Sequence, residues 1–564
     1  MSNQPDCGEA VLEALRRLSV DYIIASPGSE WAPVWEALAR QELGDGRGPD
    51  YIDCWHETLA VNMAMGYTLV TGRMQAVLLH AGSGLLQGSM GIHGAMMAEI
   101  PMVVMSGESL TYGEDPDVEP GAQWLRNLSI VGGPQALLAP IVKWSNQATS
   151  AGTIYEMVVR SGEMAQRDPQ GPTYLNVPVE TMAEQWSPPS FTRQAPPAPK
   201  TMSPPEDVKD VAEQLVASAH PLVATEAAGR DPEAFEALVE LCDLLAVPVI
   251  ESAGTVRANF PKDHPMYQGT DIAPFMADTD FALLVKNRAP WYPPGRRPPK
   301  ARVVALDESP HRTHMVYQSL QADQYLEGHV ASTLRQLSEE VGAIGVDSGL
   351  VGERRERLAA THEEREKQNR AKEQAAKDAS PIDPLWLCGA LRQVMPDDVV
   401  YVNEIVLHSG VVRDHVPWTR PQSYFGIGGG LGQGLGVALG VKLASPDRPV
   451  VALMGDGSFL YNPVVQSLGA SRDSELPILI IVFNNGKYAA MQGMHLKMYP
   501  KGTAVDTDTF HGTFINAPDF VKVAESFGAY GERVEDPEAI EQALKNGLKA
   551  VNEGRSAIID VVVG

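Results

Sequence analysis

Asp456 follows the apolar run Pro449 to Met454, inside Gly455-Asp456-Gly457-Ser458, and Asn484-Asn485 ends a second apolar run that reaches Phe483. A carboxylate and a carboxamide at the ends of two buried strands, bridged by one helix, suit a magnesium-bound diphosphate. Open α/β sheets bind ligands beyond the carboxyl ends of their strands. Magnesium there combines a few protein oxygens with phosphate and water. Asp456, Asn485 and the backbone carbonyl of Lys487 would supply the protein share. Gly457 lets the backbone approach phosphate closely, and Ser458 at the start of the next helix offers a hydroxyl beside amides that face the anion. Alone, Gly-Asp-Gly reads as an ordinary turn. The two apolar runs and the Asn pair make it a candidate site.

Two residues far upstream also invite chemistry. Glu57 follows the β-rich run Tyr51 to Trp55 and precedes a helical pattern with Ala60, Ala64 and Gly66. By itself it reads as a first-turn carboxylate favoured by the helix dipole. His80, in Leu79-His80-Ala81-Gly82-Ser83-Gly84, closes a strand. An imidazole there either moves protons near neutral pH or serves as a hydrogen-bonded structural group.

The elements that must position these groups alternate short β-rich runs with amphipathic ones, the pattern of parallel sheets covered by helices. Strands are expected at Tyr22 to Ala25, Tyr51 to Trp55, Gln75 to Leu79 and Met102 to Met105, then at Leu222 to Ala224, Pro248 to Ile250, Phe281 to Val285 and Arg302 to Leu306. A third set falls at Val399 to Val402, Val450 to Met454, Ile478 to Phe483 and Ala557 to Val562. The predicted fold class is α/β, with three doubly wound parallel-sheet domains at residues 1–185, 206–345 and 381–564. Seven prolines between 186 and 205 mark an extended linker. The charged, helix-forming stretch 346–380 reads as an exposed helical connector.

A chain of 564 residues exceeds one hydrophobic core, and domains of about 150 to 200 residues are the expectation. A net charge of -26 argues against nucleic acid as a partner, so an anionic cofactor must be held locally by a metal and backbone amides. Cys7, Cys54, Cys242 and Cys388 are scattered without a CxxC spacing, which fits a reducing compartment rather than zinc or a disulfide scaffold. The segment Met1 to Gly8 is polar, and no apolar stretch reaches the ~18 residues of a membrane span. A cytoplasmic location without membrane association is the expectation.

The Gly-Asp-Gly and Asn-Asn pair, together with His56-Glu57, resembles the thiamine-diphosphate-dependent 2-oxo acid decarboxylases and acetohydroxyacid synthases. The resemblance covers nearly the whole chain and implies thiamine diphosphate with Mg2+. It also implies pyrimidine-binding, middle and diphosphate-binding domains, and a homodimer or homotetramer with sites at subunit interfaces. Glu57 is then the carboxylate that assists the cofactor's aminopyrimidine. Gly429-Gly430-Leu431-Gly432 resembles the family's supporting segment, with Leu431 as the apolar wedge beneath a bent cofactor. Pro27-Gly28-Ser29, His80 and Ile141 to Ser145 resemble benzoylformate decarboxylases, which implies that Ser29 contacts a substrate carboxylate and His80 moves protons. His408 stands where acetohydroxyacid synthases have a diphosphate-binding histidine. The reaction so implied is decarboxylation of a 2-oxo acid to an aldehyde, with carboligation to an aldehyde or oxo acid acceptor, as in acetolactate synthases, the alternative. Glu226-Ala227-Ala228-Gly229-Arg230 lacks a Gly-rich nucleotide fingerprint, which makes a flavin-linked oxidase the less favoured rival.

Overall fold

The computed structural model of the chain describes residues 5–44, 46–111, 113–121, 124–125, 130–293, 295–315 and 320–564. The first four residues of the polar N-terminal segment therefore lie outside the described residues. Among the described residues, seventeen strands build three sheets. The first contains β1 (Tyr22–Ser26), β2 (Asp50–Asp53), β3 (Gln75–Leu79), β4 (Met102–Ser106), β5 (Ser145–Gln147) and β6 (Pro172–Asn176) in the order β2-β1-β3-β4-β6-β5. The second contains β7 (Pro221–Thr225), β8 (Val249–Glu251), β9 (Phe281–Val285), β10 (Arg302–Asp307) and β11 (Gln324–Glu327) in the order β11-β10-β9-β7-β8. The third contains β12 (Val400–Glu404), β13 (Tyr424–Gly426), β14 (Val450–Gly455), β15 (Leu479–Asn484), β16 (Tyr530–Val534) and β17 (Ala557–Val562) in the order β13-β12-β14-β15-β17-β16.

Pairing is parallel throughout, for example Glu404 with Met454 and Gly455 with Phe483. Strands such as β3, β4 and β15 are buried along their whole length. Helices on both faces of a parallel sheet require this, and it explains the continuous apolar runs. The first and third sheets share one topology. In each, the order reverses between the first strand and the third, which opens a crevice at the carboxyl ends of β1 and β3 and again of β12 and β14.

The twelve strands expected from sequence are all present, with ends shifted by two residues at most. Five others, β5, β6, β11, β13 and β16, were not foreseen. Residues 187–204 form neither helix nor strand, and one helix spans Ser348–Ala375 with Asp347 accepting from the Gly349 and Leu350 amides as its cap. Its buried Glu373 binds His415 at 2.8 Å and pairs with Arg392, so the outwardly polar helix is anchored at one end to the third unit.

The first and third units meet across two helices, Glu57–Thr71 and Gly434–Ala444, that cross at glycines. A Cβ on Gly66 would fall 2.1 Å from the Val437 carbonyl oxygen, and one on Gly440 would fall 2.0 Å from that of Met63. Only hydrogen at those positions permits the backbones to touch. One continuous core, from Ile24 and Val61 to Val437 and Ile480, joins the two units. The helix that begins with Glu57 is thereby fixed against the helix that follows the Gly-rich loop.

Candidate active site

Asp456 emerges from β14 into the third sheet's crevice, 3% exposed. Its Oδ1 accepts the Gly457 amide at 2.8 Å, while Oδ2 is buried and has no hydrogen-bond partner among the described residues. Burial raises its pKa above the usual carboxylate value. In the Asn pair the two side chains divide their work. Asn484 is tied into the sheet, donating to Asp560 at 2.8 Å and accepting from the Gly486 amide at 3.1 Å. Asn485 is half-buried, and its Oδ1 accepts the Lys487 amide at 3.0 Å across the left-handed Gly486.

Gly457 packs under Tyr488, where a Cβ would lie 2.5 Å from the ring. The Ser458 hydroxyl accepts from the Gly455 amide at 3.0 Å and donates to the Gly455 carbonyl at 3.1 Å, so it closes the turn. The single helix expected between Asp456 and Asn485 is two, Asp456–Tyr461 and Val464–Asp473. Pro463 has no amide hydrogen and forces Asn462 out of the helical region, to φ -70 and ψ 152.

His408 lies just beyond β12 and before the helix Ser409–His415, with a buried Nε2 that has no hydrogen-bond partner among the described residues. Burial holds its pKa below the ordinary histidine value. A buried carboxylate oxygen and a buried imidazole nitrogen, both unsatisfied, thus stand at the carboxyl edges of adjacent strands. Buried polar atoms in native proteins are almost always paired, and a metal with a diphosphate would supply partners for both, so these residues fit the cofactor.

Between them runs the Gly-rich loop. Gly430 and Gly432 have φ of +130 and +92, and Leu431 between them is half-buried. Gly429 and Gly430 rest on Gly94 and Met90 of the first unit's helix Ser83–Met97. The loop is pinned by Glu404, which accepts from the Gln433 amide at 2.9 Å and from Asn462 Nδ2 at 2.6 Å, while Asn462 Oδ1 accepts the Leu435 amide at 3.0 Å. Burial pushes the Glu404 carboxyl up to about 7. Neither Glu404 nor Asn462 stands out in the sequence; the Asn462-Pro463 break soon after Gly-Asp-Gly is the available signal.

The first unit gathers Ser29, His80 and Glu57 at the ends of β1, β3 and β2. Glu57 opens its helix, with Nδ1 of His56 accepting the Thr58 amide at 3.2 Å as the cap. A Cβ on Gly84 would sit 2.8 Å from Cβ of His80 and 2.9 Å from Oε1 of Glu57, so those two side chains flank one glycine. Gly28 is equally constrained, since a Cβ there would lie 1.8 Å from His80 Nδ1. Exposed Ser29 opens the short turn Ser29–Trp31 beside it.

Two buried carboxyls behind His80 escaped the sequence reading. Glu30 accepts from His80 Nδ1 at 2.9 Å and from the Ala81 amide at 2.7 Å. Glu108, whose pKa burial raises, accepts from the Gly82 amide at 3.0 Å and from Tyr174 at 3.3 Å. The structure therefore places Glu57 and His80 around Gly84, and separately sets Asp456 at the end of β14 and Asn485 at the end of the adjacent β15, with the Lys487 amide near the Asp456 carboxylate. The Gly-rich loop spans the two groups. In the short turn Ala228–Arg230 after β7, a Cβ on Gly229 would fall 1.7 Å from the Ala258 carbonyl oxygen, so this glycine serves packing against a neighbouring loop.

Residues 404–561 match the thiamine pyrophosphate enzyme C-terminal TPP binding domain, and residues 5–129 match the N-terminal TPP binding domain. Over 98% of its length the chain is 25% identical to acetolactate synthase isozyme 3 large subunit of Escherichia coli, covering 94% of that protein. It is also 25% identical to benzoylformate decarboxylase of Pseudomonas aeruginosa, covering 98% of each. Its backbone superposes on the thiamine diphosphate-dependent 4-hydroxybenzoylformate decarboxylase of Rhodococcus jostii RHA1 with a TM-score of 0.78, at 26% identity over 99% of both chains. Two TPP-binding domains, set on two sheets of one topology and matched together over half of the sequence, show that the chain belongs to the thiamine pyrophosphate enzyme family.

Proposed function

We propose that the protein decarboxylates a 2-oxo acid to an aldehyde, using thiamine diphosphate and Mg2+. The observation that carries this reading is the unsatisfied Oδ2 of Asp456 at the crevice of one sheet, with Glu57 and His80 flanking Gly84 at the crevice of its topological twin. Asp456, the Asn485 carboxamide and the Lys487 carbonyl would hold the metal. His408 and the backbone of Gly457 and Ser458 would hold the diphosphate, and Leu431 on Gly430 would support the ring system. When bound, thiamine diphosphate supplies the electron sink for carbon–carbon cleavage. Glu57 exchanges a proton at its carboxyl group, His80 carries protons to and from the reacting carbon, and Ser29 orients the substrate carboxylate.

A second copy of the chain would complete the site. Trp55, Leu86, Met90, Val406, Leu407, Met491 and Met494 all remain exposed on the elements that carry the two half-sites. Large exposed apolar side chains on the elements that carry a polar site fit a homodimer or homotetramer interface. The division into a pyrimidine-binding domain (1–185), a middle domain (206–345) and a diphosphate-binding domain (381–564) follows, as does a cytoplasmic location, in keeping with four unpaired buried cysteines.

The orphaned Nε2 of His408 favours a second reading, an acetolactate-synthase-like carboligase. Carbon dioxide release and product analysis across a panel of 2-oxo acids that includes pyruvate and benzoylformate tests both. Aldehyde is the expected product, a hydroxyketone would favour the ligase, and no release from any member would overturn the reading. Flavin absorbance in the purified protein would indicate the oxidase.

A further inference from the structure

Five cationic side chains, Arg230, Arg257, Lys286, Arg288 and Arg312, line one cavity of about 60 Å³ where the three units meet. In a chain of net charge -26 this is a local inversion of sign. Four of the five have carboxylate partners. Arg230 pairs with Glu99 at 2.9 Å, and Arg312 with Glu99 and with Asp307 at 2.9 Å. Lys286 pairs with Asp307 at 3.5 Å and with Glu308, and Arg288 pairs with Glu226. Those four cations share four carboxylates.

Arg257 differs. It is 4% exposed, and among the described residues no carboxylate pairs with it. Its Nη1 donates to the Val256 carbonyl at 2.6 Å, and its guanidinium lies 5.6 Å from the centre of the Phe425 ring. Burial, with Arg230 and Arg288 nearby, draws its pKa down to about 9. An uncompensated buried charge is among the costliest features a fold can carry, and a bound anion would offset it. Apart from the Glu99 carboxylate, already engaged by Arg230 and Arg312, the rest of the wall, including Met97, Ala98 and Val256, is apolar and suits a carbon skeleton better than a bare inorganic ion. Gly429 forms another part of it, directly ahead of Gly430 and Leu431, so the cavity backs onto the loop between the two half-sites.

We propose that this cavity binds the carboxylate of a small organic acid, with Arg257 as its principal counter-charge. That acid is either the far end of the 2-oxo acid substrate or a separate acid that sits behind the Gly-rich loop. Only this choice of source rests on the proposed function; the binding itself does not.

The test is succinate titrated into the full-length protein, followed by calorimetry and by thermal unfolding, with inorganic phosphate in parallel. Succinate is expected to bind the wild type, and Arg257→Gln to weaken that binding by at least about tenfold, the share of a charge-assisted hydrogen bond. Without succinate, Arg257→Gln is expected to unfold at no lower temperature than the wild type, because it removes an unpaired buried charge. Arg257→Lys, which keeps the charge without the planar fork, is expected to bind with intermediate affinity and provides the comparison should the Gln variant misfold. Absence of succinate binding, equal affinity in the variants, phosphate binding as tightly as succinate, or a flavin in the cavity would each overturn the proposal. If succinate raises KM for the 2-oxo acid and leaves kcat unchanged, the substrate's own distal carboxylate is the natural occupant. A change in kcat assigns the cavity to a separate acid. Calorimetry needs no turnover, so failure of the decarboxylase reading and failure of this one are distinguishable.

Discussion

Nδ1 of His80 lies 2.9 Å from Oε1 of Glu30, and the same carboxylate oxygen accepts the Ala81 amide at 2.7 Å. The acceptor is fixed by the backbone and buried, so the imidazole is held with its proton on Nδ1. Glu30→Gln can present an NH2 group to that nitrogen and favour the other tautomer. Steady-state kinetics should show kcat lower by about 10–100-fold, the usual cost of losing a residue that orients a functional histidine, with KM little changed and the pH–rate profile displaced. An unchanged profile with unchanged kcat would mean that His80 is a structural histidine.

The orphaned Oδ2 of Asp456 predicts a metal effect. Magnesium with thiamine diphosphate should raise the unfolding temperature of the wild type, by about 2.7 kcal/mol of stability at a hundredfold excess over Kd. Asp456→Ala should abolish that rise and leave the ligand-free protein no less stable, since burial already disfavours the charged carboxylate. An equal rise in the variant would remove Asp456 from the metal site.

Glu404 predicts a pH dependence of stability. Its carboxyl is held up at about 7 by burial, above an ordinary value of 4.5, so the folded state holds the proton more tightly than the unfolded chain. Its contribution is fully present below pH 4.5 and is lost as pH rises through about 7. The loss is on the order of 3 kcal/mol at its limit. Denaturant titrations between pH 5 and 8 should show this decline in the wild type, and Glu404→Gln, whatever its absolute stability, should lack that part of the slope. Identical slopes would place the group's titration elsewhere.

Periodicity made the sheets legible because a parallel strand buried on both faces must be apolar along its length, as in Leu479–Asn484. The strands that escaped are those where the rule lapses. Ser145–Gln147, Gln324–Glu327, Tyr424–Gly426 and Tyr530–Val534 are edge strands, most of them half exposed or polar, and Pro172–Asn176 begins with a proline and ends with an asparagine although it is fully buried. Asp456 and Asn485 could be picked out because their spacing relative to apolar runs is local in sequence, whereas Glu57 by itself reads as a first-turn carboxylate and stands out only through the family resemblance. Glu30 and Glu404 could not, since a buried carboxylate looks like any surface acid until the fold supplies its partners, the Ala81 amide in one case and Asn462 in the other.

We propose that Glu57 is the proton-exchanging carboxyl of a thiamine diphosphate enzyme. The most direct measurement is carbon dioxide release by Glu57→Gln with the preferred 2-oxo acid, paired with calorimetry of cofactor binding to the same variant. Cofactor affinity near that of the wild type, with turnover reduced by about 10²-fold or more, is the predicted result. Turnover at the wild-type rate with cofactor bound would contradict it.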